Sequence, residues 1–85
     1  MFGYNQSLQD MKPFRKSGLI YKNDTSLPII IIITEVGSDN DRFYINDILI
    51  ASIVAENVDV PMTIIVPPKS TYKFEGSFSK WFEYR

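Results

Sequence analysis

The densest group of oxygen donors in the chain is Asp39, Asn40 and Asp41, with Asp47 a few residues on. Closely spaced hard oxygens are what Ca²⁺ takes. The calcium-loop pattern is not completed, because neither its central Gly nor its distal Glu falls in place. Asp and Asn are also the residues of surface turns, since their side chains bond the nearby backbone and tolerate left-handed dihedrals. The group is therefore read as a turn, and no metal and no cofactor are expected. Glu35, Glu56, Glu75 and Glu83 fall in different elements, and their spacing pairs none of them for acid–base work. The sequence contains no His and no Cys. Histidine-activated nucleophiles, thiol chemistry and zinc–sulfur sites all need one or the other. No Gly-rich phosphate loop is present. No catalytic residue is assigned, and the chain is expected not to be an enzyme.

What remains is binding. The segment "YKFEGSFSKWFEYR" (residues 72–85) interleaves aromatics with lysines, the composition of a base-stacking platform. Against this stand a pI of about 5.2 and a net charge of −1. Strand alternation also sends some of these rings inward, so core filling is the stronger reading and nucleic acid is not an expected partner. Trp81, Tyr84 and Arg85 stay candidates for a protein- or carbohydrate-facing surface. Charge is unevenly spread. Lys12, Arg15, Lys16 and Lys22 face one acid, Asp10, in residues 1–22, whereas residues 23–66 set seven acids against Arg42. A basic arm beside an acidic body is either a docking device or an ordinary solvated surface, and the second is the simpler.

Positioning falls to strands. Residues 1–17 show no period-2 pattern and read as an extended arm, although Ser7 could cap a helical turn stopped by Pro13. The arm holds Phe2, Tyr4, Leu8, Met11 and Phe14, so it is expected to lie on its own domain or on a neighbour. From Gly18 the text alternates short apolar runs with turns: "LIYK", then "IIIIITEV" opened by Pro28, then "RFYI" and "ILIASIV" about Asn46-Asp47, then "PMTIIV", "TYKFE" and "FSKWFEYR". Asn46-Asp47 has hairpin spacing, with Asp a poorer second residue than Gly. About seven short strands in one domain of residues 18–85 predict an all-β sandwich or small barrel. No run approaches the ~20 apolar residues of a membrane span, and no signal peptide is read.

Five consecutive isoleucines, Ile29 to Ile33, raise a question of coverage. Ile29, Ile31 and Ile33 share one face of a strand; Ile30 and Ile32 share the other with Thr34. A two-layer sandwich buries only the inner set. Leaving the outer pair in water forgoes roughly 1.5–3 kcal/mol of burial per side chain. The arm, a closed core or another chain must cover them. At this chain length another chain is the expected answer, and a second copy is its default form. Ile29, Ile31, Ile33, Ile64, Val66, Tyr72 and Trp81 are expected in the core or at an interface.

Four pieces of the chain, in order, carry a resemblance. They are Gly18 with "IYKNDTSLPIII", "INDILIA" (residues 45–51), "IIVPPKSTY" (residues 64–72) and "WFEYR" (residues 81–85). Over residues 18–85 this resembles small modules of tailed-bacteriophage virion proteins, which run as Gly and "YTN-T-PI", then "VNG-VVA", "VP-G-TY" and a closing "W-ELR". Such modules are frequent at the ends of tail fibres and as short free-standing virion proteins. Asp47 and Lys69 stand where that pattern has Gly, so those two turns are expected to differ in detail. The resemblance implies an antiparallel β-sandwich of jelly-roll or immunoglobulin-like type in a virion, made in the host bacterial cytoplasm. It implies a symmetric homo-oligomer, a trimer favoured, bound to other virion proteins and to a host surface glycan or protein. It carries over no catalytic residue. The alternative within this class is a capsid decoration protein anchored by its arm. An 85-residue chain is expected to dock through its own arm or faces rather than as the tip of a long shaft. The expected contact residues are Ile30, Ile32, Phe2, Tyr4, Phe14, Arg15, Lys16, Trp81, Tyr84 and Arg85.

Overall fold

A computed structural model describes residues 6–36, 40–54 and 59–85. The strands are β1 (Leu8–Asp10), β2 (Tyr21–Lys22), β3 (Ile29–Val36), β4 (Asn40–Ile45), β5 (Ile48–Val54), β6 (Asp59–Val66), β7 (Thr71–Glu75) and β8 (Phe78–Tyr84). They form two four-stranded sheets in the orders β1-β8-β3-β6 and β2-β7-β4-β5. Every pairing between described strands is antiparallel. Taken rank by rank, the two orders match β1 with β2, β8 with β7, β3 with β4 and β6 with β5. That is the strand order of a jelly roll, which settles the choice between the two sandwich types.

The sequence reading is one strand short. The eighth comes from the arm, where Leu8, Gln9 and Asp10 pair with Tyr84, Glu83 and Phe82. Three residues carry too little alternation to announce a strand, and only the open edge of β8 selects them. The helical turn also lies elsewhere. A 3₁₀ turn spans Lys12–Phe14 with Pro13 inside it, and Ser7 instead exchanges backbone hydrogen bonds with Arg85 at 3.0 and 3.2 Å. Proline fits a first turn because its missing N–H has no partner to lose there.

Strand β3 answers the isoleucine question on its inner side. Burial alternates along it, and Ile29, Ile31 and Ile33 are fully buried. They join Phe43, Met62, Val66, Tyr72, Phe74 and Trp81 in one cluster, with Ile64 half-buried against it. Trp81 sits edge-on to Phe74 and Phe78 at 5.9 and 5.0 Å between centroids. These offset geometries satisfy the ring quadrupoles.

The β4–β5 turn has Asn46 at φ 51° and Asp47 at φ 65°, the two left-handed positions of a primed hairpin. Asn46 offsets its strain by accepting from the Thr71 amide at 3.0 Å and donating to Ser70 Oγ at 3.2 Å. No such bond is made by the Asp47 side chain. Asp47→Gly is therefore expected to raise stability by about 1 kcal/mol, read as a higher urea midpoint at unchanged slope.

Candidate interaction surface

The two outer faces of the sandwich differ in kind. On the β2-β7-β4-β5 sheet, Lys73 lies 4.5 Å over the Tyr44 ring and 3.4 Å from Glu75, beside exposed Arg42. That is the polar outside usual for an antiparallel sheet. The other sheet is apolar outside. Registers place Leu8, Tyr84, Ile30 and Ile65 in one row across all four of its strands. Phe82 and Ile32 form the adjoining row, flanked by Asp10 and Thr63. Leu8 is 58% exposed and Ile65 55%, while the side chains between them are half-buried. Thr34, Lys80 and Pro61 close one end. The result is a contiguous apolar face with a polar rim, the arrangement that contact sites share.

Among the described residues, the arm does not cover this face. Residues 7–10 run alongside β8 and bond to it, so they widen the sheet and add Leu8 to the apolar row. Ile30, Ile32 and Tyr84 are thus brought together as expected contact residues, and Phe14 and Lys16 are exposed on the arm. Phe2 and Tyr4 lie outside the described residues. Leu8, Ile65 and Phe82 were missed: Leu8 and Ile65 join the face through strand order, which no local pattern states, and Phe82 through its parity with Tyr84.

Trp81 is corrected: it is core, with no exposed surface. Arg15 and Arg85 also serve the interior. Both grip Glu83, a fully buried carboxylate on the inner face of β8. Arg15 Nε donates to Oε2 at 2.9 Å and Arg15 Nη2 to Oε1 at 3.2 Å, while Arg85 Nη1 donates to Oε1 at 2.7 Å. The Trp81 indole N–H adds a bond at 2.9 Å and the Tyr72 hydroxyl lies at 3.1 Å. Arg15 also stacks 4.5 Å over the Tyr21 ring. Burial alone would raise the Glu83 pKa, but the two guanidiniums and the indole outweigh it and hold it below the ordinary carboxylate range. Burial first, then the Glu83 charge, pushes the Tyr72 hydroxyl up to about 12. The network ties Arg15 at the end of the arm to the last five residues.

A second buried pair lies at the β3–β4 end. Glu35 continues the inward set of β3, and Asp41, the second residue of β4, has its carboxylate against Gly76, where a Cβ would collide with it. Neither Glu35 oxygen nor Asp41 Oδ2 has a hydrogen-bond partner. Burial, then neighbouring Asp41, pushes the Glu35 pKa up to about 7. The neighbour of Glu35 is thus not one of the other glutamates but Asp41, which the sequence places in a turn. The pairing also disperses the oxygen cluster: Asp41 points inward, Asp47 lies at the far end of β4, and Asp39 is outside the described residues. Among the described residues, no three His, Cys, Asp or Glu side chains converge.

A buried amide holds the loop before β3. Asn23 Nδ2 donates to the carbonyls of Leu27, Val66 and Pro67 at 2.9, 3.1 and 3.2 Å, and its Oδ1 accepts from Thr25 Oγ1 at 2.6 Å. No helix among the described residues is long and apolar enough to cross a membrane. Comparison of the chain with family models, with curated proteins and with solved structures finds no match.

Proposed function

We propose that the chain is a structural protein of a bacteriophage particle, a fibre- or attachment-type jelly roll that works as a homo-oligomer. The observation that carries this is the apolar outer face of Leu8, Tyr84, Ile30, Ile65, Phe82 and Ile32, built from all four strands of one sheet. Such a face is the contact area of an assembling subunit, and copies of one chain cover it most simply by symmetry. A trimer is the favoured state, on the resemblance.

The residues that carry the resemblance support the same reading, because they are the ones the fold depends on. Asn23 and Thr25 are the loop clamp; Trp81, Glu83 and Arg85 are the buried network. Asp47 and Lys69, which stand in place of glycines, both have φ 65°, the region glycine favours. The decoration alternative has less support. It needs residues 1–17 free to anchor elsewhere, and Leu8–Asp10 and Arg15 are bound to the body.

Ile30→Asp tests the face. Sedimentation velocity is expected to show the oligomer reduced to single chains, with near-ultraviolet dichroism from Trp81 unchanged. Loss of the folded signal would instead make Ile30 a core residue. Mass spectrometry of purified particles of the phage that carries the sequence is expected to find the chain at structural abundance. Its absence from particles would overturn the assignment.

A further inference from the structure

The sandwich has four sheet edges, and three are protected against pairing. β2 is two residues long and carries Lys22; β1 is three residues long and carries Asp10; β6 carries Asp59 and, within the strand, Pro61. Short length, charge and proline are the devices that keep edges single. The fourth edge, β5, has none of these three, and its one irregularity is a bulge confined to Ile50. It runs seven residues as ILIASIV, without charge or proline. Its first three side chains, Ile48, Leu49 and Ile50, are 66, 49 and 45% exposed. The bulge sets Ile50 out of register with β4, but residues 51–54 pair regularly with residues 40–43.

The exposure pattern says what covers this edge. Ile48 pairs with Ile45, which packs on the core, and Leu49 with Tyr44 on the outer side, so a surface docked on one face would leave one of the two wet. A strand added along the edge flanks both faces at once and takes up the open N–H and C=O groups. We propose that β5 pairs antiparallel with β5 of a second copy about a two-fold axis, joining two β2-β7-β4-β5 sheets into one. An antiparallel pair of identical strands needs only one surface, and an uncharged strand places no like charges opposite each other across the axis. The proposal rests on the oligomeric reading above but uses a separate contact, so the apolar face and this edge together give each chain two kinds of neighbour.

The test is a Leu49→Lys/Ser52→Lys double variant, both positions being exposed. Sedimentation velocity over a concentration series is run with hydrogen exchange of the β5 amides, on wild type, this variant and Ile30→Asp. The expected result is at least tenfold weaker association of the double variant, with its β5 amides exchanging fast while the Trp81 dichroism is kept. Unchanged association and unchanged β5 protection in the double variant would overturn the edge contact while leaving the Ile30 face standing. So would a wild-type β5 protected only when another virion protein is added. A wild type that stays a single chain at every concentration would overturn both readings.

Discussion

Glu83→Ala is expected to lower the unfolding free energy by about 3–5 kcal/mol, the cost of removing one side of a buried charge network. The carboxylate is fully buried and receives both guanidiniums, the indole N–H and the Tyr72 hydroxyl. Deleting it leaves Arg15 and Arg85 charged in a cleft where their side chains are only 11 and 18% exposed. It also leaves the Trp81 and Tyr72 donors without an acceptor. For a domain of this size each kcal/mol moves Tm by ~4–8 °C, so a fall of more than ~12 °C is expected. Thermal unfolding followed by Trp81 fluorescence measures it. Arg15→Ala leaves Arg85 on the carboxylate and is expected to cost less. The network also fixes the acid limb. The folded pKa of Glu83 lies below its unfolded value, so its contribution is complete above the ordinary carboxylate range and is lost as pH falls through the folded pKa. In Glu83→Ala that loss at acid pH should be missing. A variant that unfolds within ~1 kcal/mol of wild type would show that the carboxylate's charge costs as much to bury as its bonds return.

The same residues show which parts of the fold could be read from sequence. Parity along β3 separated Ile29, Ile31 and Ile33 from Ile30 and Ile32 correctly, because alternation is a local property of one strand. Parity along β8 was available too: Trp81, Glu83 and Arg85 share a face, and so do Phe82 and Tyr84. Both rows hold aromatics, and a glutamate ordinarily marks the wet one. The rule fails here because Arg15, 68 residues away in sequence, supplies the counter-charge that lets Glu83 go inside. Glu35, two residues beyond Ile33, also lies on the inward face but without a counter-charge, and Asp41, a turn residue by type, is buried on β4. What no single strand states is the order of strands. Leu8 and Ile65 enter the apolar row only through pairing across the sheet, which is why these two of the contact face's six residues were invisible until the jelly roll was in view.

The Glu35–Asp41 pair should make the protein less stable as the solution becomes more basic, opposite to the effect of Glu83. An ionised Glu35 would hold two buried oxygens without a donor beside the Asp41 carboxylate, so the folded chain keeps a proton on Glu35. With the Glu35 pKa near 7 in the folded chain and an ordinary value when unfolded, the native state binds more protons between those limits. The linkage slope is then negative: this stabilising contribution is whole below the ordinary carboxylate range and is lost as pH rises through about 7. Glu35→Gln replaces the titrating proton with an amide that donates at every pH. It is expected to match wild type near pH 4.5 and to exceed it at pH 8 by about 1–3 kcal/mol, the cost of leaving buried polar atoms unsatisfied. Urea unfolding at the two pH values measures the difference. A gain equal at both pH values would show that packing rather than ionisation is responsible. A loss at pH 8 would mean that the ionised pair meets a positive group.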